Sequence, residues 1–204
     1  MVKSLLIENS TDLGTAVMVS EGKTVGLREV TRAGMLAAAI HELFLESGSP
    51  DEIVVGLGPG SYTGTRVAVA TAIGLKTGLG CPVFGCPSVL AYDAATYYVV
   101  GDARLGSVFL ASIEENRLIR VPELLPVEEF HLLLQELRRR PIFAVGPIPG
   151  VDLPIVRPRA EHLLSRRGWF QTSLEPLYLK EPHITRPNPD IASRLERAEK
   201  DGSQ

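Results

Sequence analysis

Three short aliphatic and β-branched runs, residues 4–9, 15–20 and 24–30, open the chain, and the turns between them, STDLG and SEGK, are rich in Gly, Asp and Ser. Connections this short cannot carry a crossover. The three strands are therefore expected as antiparallel neighbours in a meander. The hydrophobic period then changes. RAGMLAAAIHELFLESG places Leu36, Ile40, Leu43 and Phe44 on one side of a helix that stops at a Gly. DEIVVGLG is continuously apolar, as in a strand buried on both faces. A second helix is predicted over residues 65–79, a short strand over 82–85, and a third short helix in PSVLAYDAAT.

From residue 98 the plan recurs in reduced form. YVVGDARLGSVFLASI reads as two strands around a tight ARLG turn, and RLIRVP as a third. PVEEFHLLLQELRRR is an amphipathic helix with Phe130, Leu133, Leu134 and Leu137 on one side, and PIFAVGPIPG a buried strand. A short helix is expected around residues 160–167, and a polar, fraying tail over 188–204. The order β-β-β-α-β-α is the ribonuclease-H-like pattern shared, by analogy, with actin, sugar kinases and Hsp70. The expected fold is α/β: two such lobes, residues 1–97 and 98–204, each a mixed sheet flanked by helices.

Charge narrows the function. Net charge is −3 over 204 residues and the basic residues are scattered, which disfavours unassisted nucleic-acid binding. The opening MVKSLLIENS turns polar after three apolar residues, and no run approaches the roughly 20 residues of a membrane span. A cytoplasmic protein is expected, with Cys81 and Cys86 as reduced structural thiols. The four histidines, His41, His131, His162 and His183, have no metal-ligand spacing, so no metal site is expected.

GLGPGSYTGTR is the chemically suggestive stretch. Gly58, Gly60 and Gly64 permit close backbone approach between a buried strand and a helix start, where free N–H groups form an anion site in principle. Ser61, Thr63 and Arg66 add donors. The Walker spacing is absent, and the one GKT, at residues 22–24, sits in a hairpin turn. A tight strand-to-helix joint that binds nothing explains the glycines equally well. Glu8 and Asp12 can be a carboxylate pair for acid–base work or a capped turn. Asp102 and Arg104 are expected to fix the second hairpin locally.

The segment GLGPGSYTGTRVAVATAIGLKTGL is similar to the G-x-G-P-G-S-F-T-G-x-R signature of the TsaB (YeaZ) family, proteins of tRNA threonylcarbamoyladenosine formation. LLIENSTDLGTAVMV, VVGDARLGSVFLA and EPLYLKEP resemble that family's other motifs in the same order. The resemblance implies a non-catalytic subunit that pairs with its homologue TsaD, which carries the metal and modifies adenosine 37 of ANN-decoding tRNAs. It implies recruitment of the ATPase TsaE, a homodimer in isolation, contact with tRNA only through the complex, and no cofactor on this chain alone, with ATP or ADP at the shared interface. This chain also departs from the family. Glu8 replaces the Asp that organises a metal–phosphate cluster in kinases of the superfamily, Asn9 replaces a Thr, Arg32-Ala33-Gly34 replaces a His-Ser at the start of the first long helix, Lys180 stands for an Arg, and the second lobe is short. The rival is a small ATP-dependent phosphotransferase with Glu8 organising Mg²⁺ over the glycine loop.

The two long helices point to partnership without any family. On the second, Ala68, Ala72, Leu75 and Leu79 are expected to face the sheet, leaving Val69, Ala70 and Ile73 on the other side. On the first, Met35, Ala38 and Leu45 lie off the core stripe. Six such positions are expected to form an apolar patch that a partner covers.

Overall fold

The structure, a computed structural model, describes residues 2–179. The polar tail, Lys180 and His183 lie outside the described residues. β1 (Lys3–Glu8), β2 (Gly14–Ser20) and β3 (Lys23–Val30) form the expected meander. α1 (Leu36–Ser47) leads to β4 (Glu52–Gly56), and α2 (Tyr62–Leu79) to β5 (Val83–Cys86). Both β4 and β5 join parallel to β1, giving one sheet in the order β3-β2-β1-β4-β5. A second sheet, β8-β7-β6-β9, is built from β6 (Tyr97–Asp102), β7 (Ser107–Glu114), β8 (Arg117–Pro126) and β9 (Ile142–Ala144), with α3 (Val127–Leu137) as the crossover.

Alternation along the strands explains how four layers stack. Leu5, Ile7, Met18, Ile53 and Val55 point to one face of the first sheet and pack on Leu36, Ile40 and Leu43 of α1 and Ala68 and Ala72 of α2. Leu6, Val17 and Val54 point the other way. They meet Tyr97, Val99, Phe109 and Ala111 of the second sheet in one shared core. The far face of the second sheet packs on Phe130 of α3. Each fully buried Leu or Ile stabilises this stack by about 2 kcal/mol. Among the described residues no helix is long and apolar enough to cross a membrane.

Two helical expectations are corrected. PSVLAYDAAT makes only a 3-10 turn at Ser88–Leu90. Its residues 88–92 are buried between the sheets, and the carbonyls of Leu90, Tyr92 and Ala94 accept from the guanidinium of Arg166. A helix would have consumed those carbonyls internally. Residues 160–169 form a run of 3-10 turns with a kink at Arg166, the residue that reaches back to make those bonds. α2 starts three residues earlier than expected, because Ser61 caps it: its Oγ accepts from Gly64 N–H at 3.1 Å.

Candidate functional site

The glycine loop is folded onto the turn that follows β1. Gly58, at φ +84°, and Gly60 take backbone forms that favour glycine. A Cβ on Gly60 would stand 2.1 Å from the Ser10 carbonyl oxygen, and one on Gly64 2.1 Å from that of Asn9. Hydrogen bonds fasten the contact: Ser61 N–H to Ser10 O at 2.6 Å, and Asn9 Nδ2 to Gly64 O at 3.1 Å. On its other flank Gly58 and Ser88 exchange two bonds, Gly58 N–H to Ser88 Oγ and Ser88 N–H to Gly58 O. Gly60 and Gly64 thus answer to close packing, and Gly58 to its positive φ.

Glu8 lies beneath this joint, 1% exposed. Its Oε1 accepts from Ser10 N–H at 2.8 Å, while Oε2 has no hydrogen-bond partner among the described residues. Gly56 is glycine because a Cβ there would sit 1.8 Å from that oxygen. Burial raises the Glu8 carboxyl above its ordinary value, and the hydroxyls of Ser10 and Ser88 pull part of the way back. A carboxyl in this setting favours its proton. Asp12 does not pair with Glu8; it takes a two-pronged ion pair from Arg157 at 2.7 and 2.8 Å, which holds it below its ordinary value.

Of the loop's other polar side chains, Ser61 and Arg66 have local engagements. Ser61 caps α2, Thr63 is exposed, and Arg66 bonds the Tyr62 hydroxyl with its guanidinium 5.0 Å over that ring. The segment after the 3-10 run crosses the loop: Leu177 N–H donates to Leu57 O at 2.8 Å, and the Tyr178 ring lies 5.2 Å from Tyr62. An open hollow of about 250 Å³ lies elsewhere, between Leu13, Thr15 and the stretch Ile155–Arg159. Among the described residues no three His, Cys, Asp or Glu gather as a metal site. Cys81 and Cys86 are buried and free, with burial pushing the Cys86 thiol up to about 12. Asp102 Oδ1 accepts from Arg104 N–H at 2.8 Å, the local bond expected of that hairpin.

The helix faces divide otherwise than the sequence suggests. Met35, Ala38, Leu45, Ala70 and Ile73 are exposed, with Leu45 at 74%, Met35 at 53% and Ile73 at 45%. Val69 is not: it is 7% exposed in the core cluster with Ala68 and Ala72, on a helix that also packs against the turn Ala33–Met35. Leu79, expected on the sheet, is 38% exposed in the last turn. Sequence reasoning missed Ser88 and Arg166, whose roles depend on partners about 30 and 75 residues away.

Comparison with known proteins follows the same lines. The family described as TsaD, tRNA N6-adenosine threonylcarbamoyltransferase, matches residues 30–117. An uncharacterized protein of Mycobacterium tuberculosis is 39% identical over 157 residues, 71% of this chain and 71% of its own length. The tRNA threonylcarbamoyladenosine biosynthesis protein TsaB of Haemophilus influenzae is 25% identical over 128 residues, 55% of this chain and 54% of its own. Among solved structures, YeaZ from Pseudomonas aeruginosa superposes with a TM-score of 0.66 at 23% identity, over 88% of this chain and all of that one. The ethanolamine utilization protein EutJ from Carboxydothermus hydrogenoformans gives 0.51 at 11% identity, over 80% of this chain and 89% of its own. These two likenesses speak to the fold.

Proposed function

From the premise that this chain belongs to the TsaB (YeaZ) family, we propose that it serves tRNA threonylcarbamoyladenosine biosynthesis as a non-catalytic subunit docked on a TsaD homologue. The observation that carries the reading is the exposed apolar set Met35, Leu45 and Ile73, on α1, α2 and the turn leading into α1. These side chains point away from the sheet that the helices cover. Apolar surface of this kind on a helix pair is what a partner removes from water. The glycine loop, closed on Asn9 and Ser10, then acts as the rigid joint that sets α2 against β4. TsaE recruitment, a homodimer of the isolated chain, ATP or ADP at the shared interface, and tRNA contact through the complex alone belong to the same proposal.

The phosphotransferase reading needs Glu8 to face a metal–phosphate cluster. Glu8 instead sits sealed under Gly56, 1% exposed. The test is co-purification of the full chain with the cognate TsaD homologue, with and without ATP. Wild type is expected to pair, and Ile73→Glu to lose pairing while its circular dichroism and melting temperature stay within about a degree of wild type. Turnover of Mg²⁺-ATP by the lone chain, without pairing, would replace this reading with the enzymatic one.

A further inference from the structure

Tyr62, Arg66 and Tyr178 form an exposed cluster that the glycine loop does not use. Both tyrosines are 43% exposed, their rings lie 5.2 Å apart, and the Arg66 guanidinium lies 5.0 Å over the Tyr62 ring. At about 100° per residue, Tyr62, Arg66, Ala70, Ile73 and Thr77 fall on one side of α2, and all five are exposed. The cluster therefore continues the apolar stripe to its N-terminal end. Over its 18 residues α2 carries Arg66 and Lys76 and no acid, and among the described residues no carboxylate pairs with either cation. A second copy laid α2 against α2 would bring like charges together. A different protein presenting a carboxylate would neutralise Arg66 in a partly dry, aromatic setting, where such a pair gains most.

The geometry points to Tyr62–Arg66–Tyr178 as the anchor of the docking surface, receiving an Asp or Glu side chain of a partner other than a second copy of this chain. Tyrosine and arginine are the residue types concentrated where interfaces hold their binding energy. The inference rests on the partner reading above and adds to it the anchor, the sign of the partner's charge and the preference for a heterologous companion. Tyr178 belongs to the crossing segment and Tyr62 to α2, so the anchor exists only when residues about 115 apart are brought together.

The experiment is calorimetric titration of the full-length chain with the cognate TsaD homologue at about 0.05 and 0.3 M salt, where screening separates ionic from apolar contributions. Arg66→Gln and Tyr178→Ser are each expected to weaken binding at low salt by about tenfold, and Arg66→Gln to lose most of the salt dependence. Leu132→Glu, on the exposed side of α3, should leave both unchanged. If Ile73→Glu abolishes binding while Arg66→Gln and Tyr178→Ser match wild type, the anchor is wrong and the docking face stands. If wild type does not bind, or Ile73→Glu binds as wild type does, the docking reading itself fails and takes the anchor with it. Sedimentation showing a dimer of the lone chain that Arg66→Gln dissolves would assign the cluster to a second copy and overturn the inference.

Discussion

Glu8 shows how one side chain can resemble a catalytic group and be placed as a core group. Its carboxyl is raised by burial, so the native state holds the proton more tightly than the unfolded chain does. The stability this contributes is fully present below the ordinary value of 4.5 and is lost as pH rises toward the native value. Glu8→Gln cannot ionise. The melting temperature of wild type is therefore expected to fall relative to Glu8→Gln as pH rises from about 4 to 8, by a few degrees. Parallel melting curves across that range would contradict the assignment. The glycines can be sorted in the same way. Gly60→Ala drives a Cβ into the Ser10 carbonyl and should cost about 2–3 kcal/mol in denaturant titration. Gly74→Ala, helical and with nothing within 4 Å of its Cβ, should stabilise by about 0.5–1 kcal/mol.

Among elements, the connection from β5 to β6 has the least local reason for its shape. Its first part, residues 87–92, is buried with a single 3-10 turn, and carbonyls along the connection are held from outside. Arg166, 7% exposed, donates to Leu90 O at 3.0 Å, Tyr92 O at 2.9 Å and Ala94 O at 3.2 Å, and also to Asn116 Oδ1 in the β7–β8 turn. One guanidinium thus ties the 3-10 run, the connection and a hairpin of the second sheet. Arg166→Met keeps the aliphatic volume and leaves those carbonyls unsatisfied. It should cost about 3 kcal/mol, read as a lower midpoint in urea with the slope unchanged. The helix-versus-turn error in PSVLAYDAAT has this source: local propensity lost to an acceptor demand set some 75 residues downstream.

For the whole molecule, the shared core between the sheets decides how the chain unfolds. Leu6, Val17 and Val54 contact the same cluster as Val99, Phe109 and Ala111, and Trp169 packs against it. The emission of Trp169 and the far-ultraviolet circular dichroism are expected to report coincident urea transitions; separated midpoints would mean that the sheets unfold independently. The meander, the two crossover helices, the joint between β4 and α2 and the family are legible in the residues alone, because alternation, turn chemistry and close-approach glycines act over a few residues and leave their marks there. That Val69 is core, that Glu8 lies sealed beneath Gly56, and that Tyr178 meets Tyr62 beside Arg66 emerge only in the folded chain. Each of these depends on surfaces that distant segments bring together, and a helical wheel or a motif has no knowledge of what will cover it.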